Sequence, residues 1–311
     1  MKRFKPLIAL SAFSIVLLTM PLGHAAVIVL QTALGREHVA LAGVLLGIAG
    51  SGLLLAGLFA KKELTATLLG MFGALFVWSG WIEIGFEYYA RRLGIAPVMA
   101  NGVVVTRAEY LLMPSSVGFF AIIMLYYLFG VRSGCRFFLW FQRLLRFESR
   151  LGPARSSKNV AMITFMEFNV LLWGFYLLLL FAYDENFAGD RHPVTYFIAF
   201  GSLLWSVLLF VKLLKISNLA YAIRYAIPTV LIFWNFVEIL GRWNVFTEIW
   251  IQPSKYVLEI VLMSVVLLIL MLTVLFSAKG KTGREAKQVC FEIDSGSEEF
   301  LGRDEDLVSV A

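Results

Sequence analysis

The chain has 311 residues, of which 60% are hydrophobic and only 15% charged, with a formal net charge of +6 and a mean hydropathy of +0.81. Soluble domains are about half apolar and a quarter charged, and a globule this apolar would expose large greasy patches to water. The composition therefore excludes an ordinary soluble domain and an extended nucleic-acid binder, and it makes lipid the solvent for most of the chain.

A hydrocarbon core of about 30 Å takes roughly 20 apolar residues in helix. Eight stretches meet that length: Pro6–Leu30, Val39–Ala60, Leu64–Ala90, Leu111–Val131, Val160–Tyr183, Val194–Leu214, Ala222–Val245 and Tyr256–Ser277. They lack the strict alternation of barrel strands. The expected fold is all-α, a polytopic transmembrane helix bundle over residues 1–277.

The first stretch has two readings. Met1–Ala25 has the layout of a secretory signal, with a basic start, an apolar run, Pro21, and Gly23-His24-Ala25 before Ala26. The apolar run nevertheless continues through Leu30 to a spanning length. Retention gives eight spans; cleavage leaves seven and an outside N-terminus.

In the second stretch Gly43, Gly47 and Ser51 form a stripe of small residues that lets another helix approach closely. The third carries Glu83, Glu87 and Arg91 at i, i+4 and i+8, hence on one side of the helix. The outer loop that follows, Arg91–Tyr110, contains a turn-prone Ala96-Pro97 and Asn101-Gly102. Between the fourth and fifth spans, Arg132–Asn159 places Phe137, Phe138, Phe141, Leu144 and Leu145 on one helical face and Arg136, Arg143, Arg146 and Arg150 on the other. Such a helix lies in the membrane plane, so residues 132–158 are expected to meet anionic lipid headgroups.

Glu167 falls in the inner half of the fifth span, about 13 Å from Lys158. Pro228 is expected to kink the seventh below Glu238, freeing a backbone carbonyl. Glu238 and Arg242 repeat the acid-then-base i, i+4 arrangement that favours an ion pair, and Glu259 begins the eighth span. The tail, residues 278–311, starts basic and ends acidic, with seven acids and one arginine between Glu292 and Asp306. It reads as a disordered cytoplasmic tail and a candidate surface for a protein partner.

Orientation follows from Lys and Arg. With the N-terminus in the cytoplasm, the outside segments keep only Arg36, Arg91, Arg92, Arg107, Arg191, Arg242 and Lys255 of the 27 basic residues. Both termini are therefore expected inside. The short basic start and compact loops suit a bacterial plasma membrane. Cys135 and Cys290 fall on the cytoplasmic side, far apart, and read as free thiols. Tyr88, Tyr89, Tyr110, Trp243, Trp250 and Tyr256 read as an outer aromatic belt.

The chain also carries the marks of a parallel four-plus-four repeat, with halves 1–131 and 160–277 joined by 132–159. His38 to Lys61 and His192 to Lys215 have the same spacing, and Trp78-Ser-Gly-Trp-Ile-Glu83-Ile answers Phe233-Trp-Asn-Phe-Val-Glu238-Ile. A second register, pairing Glu87 and Arg91 with Glu238 and Arg242, fits almost as well. Duplicated halves are common in transporters.

An ionisable residue facing hydrocarbon costs at least about 2.5–3.5 kcal/mol at a helix centre, so such residues pair, face the bundle interior, or sit near the interface. Glu83, Glu238, Arg242, His24 and Glu167 are the candidate set, the first four lining a polar cavity in the outer half of the bundle. For Glu87–Arg91 a capping pair at the interface is the simpler reading. No His-Glu-x-x-His, Cys-x-x-Cys, Gly-x-x-x-x-Gly-Lys-Ser/Thr or Gly-x-Ser-x-Gly occurs, so no catalytic residue, metal site or cofactor is assigned. The leading expectation is a membrane protein that binds or transports a small solute or ion. Two alternatives stand beside it: a non-catalytic subunit or assembly factor of a larger membrane complex, and a membrane-embedded enzyme acting on a lipid or quinone, with Glu and His as acid and base.

Overall fold

A computed structural model describes residues 5–100, 103–130, 142, 144–145 and 159–276. Most of the expected amphipathic connector, both cysteines and the acidic tail lie outside the described residues. Contacts divide the chain into two units, Met1–Ser264 and Val265–Ala311. The first holds seven helices and the start of the eighth. Of the second, the described part is the remainder of that eighth helix.

Eight helices are long and apolar enough to cross a membrane: α1 Pro6–Gly35, α2 Glu37–Leu58, α3 Glu63–Arg92, α4 Ala108–Leu128, α5 Val160–Tyr183, α6 Pro193–Leu213, α7 Leu219–Arg242 and α8 Val257–Phe276. The protein is an all-α integral membrane protein. Apolar composition selects helix here because lipid offers no partner for a free N–H or C=O.

The turn between α1 and α2 is shorter than the apolar pattern implies. Helix continues to Gly35, whose φ of 66° reverses the chain, and resumes at Glu37. Glycine takes that left-handed backbone at no steric cost, whereas a Cβ would oppose it. Pro21 and Pro228 both lie inside continuous helix. Pro228, expected to kink the helix below Glu238, lies within α7, which is continuous helix from Leu219 to Arg242.

Helices α3 and α7 form the inner layer, with 56% of each apolar window buried, against 11% for α4 and 17% for α6. The α1–α2 pair packs on both α3 and α7, α5 also packs on both, and α6 lies against α7. On α1, Ala9, Ala12, Ile15 and Val16 are fully buried. They recur at helical spacing, so one stripe of α1 enters the core.

Small residues set a close approach between α2 and α3. A Cβ on Gly80 would lie 2.5 Å from the Gly43 carbonyl oxygen and 2.7 Å from the Gly47 backbone nitrogen. Likewise a Cβ on Gly50 would lie 2.7 Å from the Gly73 carbonyl. The Gly43–Gly47 stripe is thus matched by glycines on the facing helix, allowing backbone-to-backbone contact. At this seam α3 widens into a π-helical turn, Trp78–Glu83, a feature that often re-aims a side chain at a functional position.

The loop after α3, in which turns were expected, holds a short sheet. Val98–Ala100 and Val103–Thr106 pair as an antiparallel hairpin, β1 and β2. The hairpin delivers Thr106 and Arg107 to the end of the bundle where α1, α3, α5 and α7 finish.

Gly80→Val is expected to cost about 1–3 kcal/mol, typical of overpacking, and to lower both the melting temperature and the folded yield. Gly52→Ala, where an added Cβ meets open space and helix propensity rises, is expected to lower neither. Equal melting of the two variants would contradict the close α2–α3 seam.

Candidate functional site

The end of the bundle that carries the hairpin contains a cavity of about 660 Å³. Its wall on α7 comes from Leu231, Trp234, Asn235, Glu238 and Arg242, which recur every three or four residues and so share one face. Helix α1 contributes Met20, His24, Ile28 and Gln31, and α5 contributes Phe175, Tyr176 and Tyr183. Arg107, Glu109 and Tyr110 enter from the start of α4, and Glu248 and Trp250 from the loop after α7.

His24 is the junction of the site. Its Nδ1 lies 3.9 Å from Glu83 Oε1, and its Nε2 lies 3.7 Å from Glu238 Oε1. Three helices thus bring two carboxylates to the opposite nitrogens of one imidazole. The Tyr176 hydroxyl is 3.2 Å from the same Nε2. At these separations the carboxylates lie just beyond direct hydrogen-bond reach, which ends near 3.2 Å for N–H···O.

The two acids differ in their access. Glu238 lines the cavity and keeps 25% of its side-chain exposure. Its Oε1 accepts a 2.6 Å hydrogen bond from Trp234 Nε1, while its Oε2 has no hydrogen bond among the described residues. Glu83 stands behind His24 rather than in the wall and is 7% exposed. The path inward from the cavity therefore runs Glu238, His24, Glu83.

Arg242 is engaged differently from the expectation. Its Nε donates to Asp190 Oδ1 at 2.9 Å and its Nη1 to Thr106 Oγ1 at 3.1 Å, while its guanidinium lies 4.9 Å from the centre of the Tyr183 ring. Asp190, in the loop before α6, replaces Glu238 as the partner that spacing suggested. A bidentate-capable guanidinium is drawn to the carboxylate that geometry presents best. Trp243 closes the corner by donating from Nε1 to the Asp190 carbonyl at 2.6 Å.

The remaining arginines of the cavity also meet acids. Arg91 pairs with Glu87 at 3.2 Å, and Gln31 donates to the other Glu87 oxygen at 2.6 Å. Arg107 lies 3.7 Å from Glu109. Gly241 leaves room for the Glu248 carboxylate, which a Cβ would overlap. Burial pushes that carboxyl above the ordinary carboxylate range, against the opposing pull of Arg242 and Arg107.

Of the residues singled out from sequence, His24, Glu238 and Arg242 line one cavity and Glu83 lies one side chain behind it. Glu167 does not join them. It is 5% exposed and sits nine residues before Tyr176 on α5, about 13 Å along the helix axis. Tyr110 and Trp250, expected in the outer belt, turn inward to the cavity instead. Trp78 packs on Tyr176 with ring centroids 5.5 Å apart, and Trp81 lies against Gly47; neither lines the cavity.

The site also includes Arg107, Glu109, Tyr176 and Glu248, which the sequence did not mark. Arg107 and Glu109 flank the start of a span within one short run, Arg107-Ala-Glu109-Tyr110, and that clustering was the available signal. Among the described residues, no group of three or more His, Cys, Asp or Glu side chains is arranged to hold a metal ion. The chain matches no family model, no curated protein and no solved structure.

Proposed function

We propose that this integral membrane protein binds a small polar solute in the end cavity and passes it across the membrane. The observation that carries the reading is the convergence of Glu238 and His24 on a cavity of about 660 Å³. That volume lies within the roughly 300–1,000 Å³ of small-molecule sites. Ionisable groups within membrane spans are costly and mark solute and ion pathways. By the distribution of Lys and Arg, the cavity opens on the outer face and both termini lie in the cytoplasm.

The reading requires α1 in the mature protein, because His24 lies on it. It favours solute binding over the two alternatives on a specific ground: the polar groups face an open cavity, whereas a scaffold subunit needs none. Trp78 and Trp81, the tryptophans nearest Glu83 in sequence, offer no open ring face to a quinone in that cavity.

Two measurements test the proposal. In intact cells, a membrane-impermeant maleimide is expected to label Phe187→Cys, exposed in the loop before α6, and to leave Lys61→Cys unlabelled. The reverse pattern would turn the cavity inward. Screening the purified protein against amino acids, organic amines, sugars and organic acids is expected to give at least one solute that raises its melting temperature. That shift is expected to vanish in Glu238→Gln, with the unliganded variant melting as the parent does. A panel without any stabilising solute would contradict the binding reading.

A further inference from the structure

The arrangement of charge in the cavity points to the class of solute, and the inference rests on the solute-binding reading above. Each cavity arginine has an acid beside it: Arg91 with Glu87, Arg107 with Glu109, and Arg242 with Asp190. Glu238 has no arginine or lysine within ion-pair distance among the described residues. Only His24 stands near it, and His24 also faces Glu83. The surplus at the cavity floor is negative.

Beside Glu238 the wall is aromatic. The rings of Trp234 and Trp250 lie 5.1 Å apart between centroids, and those of Tyr110 and Tyr176 lie 5.7 Å apart. A carboxylate with a free oxygen, set among aromatic rings, attracts an organic cation through charge and through the ring quadrupoles. One turn below, Asn235 is 1% exposed and lines the same cavity, and its Nδ2 has no hydrogen-bond partner. A buried amide donor left unpaired awaits an acceptor, either an oxygen of the ligand or a water carried with it.

The His24 junction supplies the counter-ion. Carboxylates only accept hydrogen bonds, and a neutral imidazole carries a single N–H. With both carboxylates ionised and the ring neutral, two negative charges lie within 4 Å of one imidazole, with no arginine or lysine at ion-pair distance among the described residues; one further proton, on the ring or on a carboxyl, halves that buried charge. A cation arriving at Glu238 makes that proton redundant, and its release keeps the buried charge constant. Constancy matters because an uncompensated charge in a low-dielectric interior is expensive.

We propose that Glu238, His24 and the aromatic wall form a site for a small organic ammonium ion, which enters in exchange for the proton held among Glu238, His24 and Glu83. Other charged and titratable groups face this trio. They are Glu87 from α3, Tyr176 and Tyr183 from α5, and Arg242 from α7. Arg107, Glu109 and Tyr110 approach from the start of α4, and Asp190 and Glu248 from the adjoining loops. The arginine pairs hold Glu87, Glu109 and Asp190 in place; Glu248 has no such pair among the described residues, and the trio is where two carboxylates share one imidazole.

The test uses the full-length protein in lipid nanodiscs and benzyltrimethylammonium, a cation without a titratable proton. Calorimetry in two buffers of different ionisation enthalpy reads both affinity and protons released. The proposal predicts binding with release of about one proton per cation. By linkage, affinity then rises about tenfold per pH unit until release stops. Glu238→Gln is expected to weaken binding roughly tenfold or more, and Glu238→Asp, which keeps the charge, is expected to retain measurable binding and proton release. Binding without proton release overturns the exchange. If neutral or anionic solutes bind and the cation does not, the assignment of solute class fails while the cavity reading survives. If no solute binds at all, the cavity reading fails and takes this inference with it.

Discussion

The imidazole of His24 is the constraint on which the site depends. Two glutamates on separate helices approach its two nitrogens, and neither acid has an arginine or lysine beside it among the described residues. Inside a helical bundle such carboxylates repel one another unless a proton or positive charge lies between them. A ring with nitrogens on opposite edges, 3.9 Å from Glu83 and 3.7 Å from Glu238, offers a site for that proton from a single position on α1. It is also the point where α1, α3 and α7 meet, the ring on α1 lying within 4 Å of a carboxylate from each of the other two.

The rest of the architecture holds that junction. Glycines at the α2–α3 seam bring backbone against backbone and seat the π-helical turn that ends at Glu83 against α2. On α7, Trp234 holds one oxygen of Glu238 while the other stays free for the cavity. Asp190 and Thr106 draw Arg242 away from Glu238, which keeps the acid without a permanent counter-ion. The hairpin before α4 is therefore part of the site, since Thr106 lies at its end. Arg91, Arg107 and Arg242 are each matched with an acid, and the charge of Glu83 and Glu238 is left to the imidazole.

Much of this was legible in the sequence, for identifiable reasons. The eight spans follow from hydropathy because lipid enforces uninterrupted helix, and most observed bounds fall within about three residues of the apolar runs. His24, Glu83, Glu238 and Arg242 stood out because polar side chains in apolar helices need a reason. Spacing along one helix suggested Glu238–Arg242, but the partner that prevails, Asp190, comes from a loop 52 residues away in sequence. Local periodicity carries no information about such contacts. The hairpin was signalled by valines on both sides of Asn101-Gly102, a strong hairpin pattern, and was read only as a turn. Tyr110 and Trp250 were assigned to the interface by composition, yet an aromatic ring at a helix end packs equally well inward when a cavity opens beside it.

The central claim, that one ring joins both acids, is accessible to ¹⁵N NMR of histidine-labelled protein, because the chain has only three histidines and His38 and His192 are exposed. With His24 assigned by its loss in His24→Gln, Glu83→Gln and Glu238→Gln are each expected to move the His24 ring-nitrogen signals while leaving the other two histidines unchanged. A folded variant of either glutamate in which the His24 signals stay where they were would contradict the account.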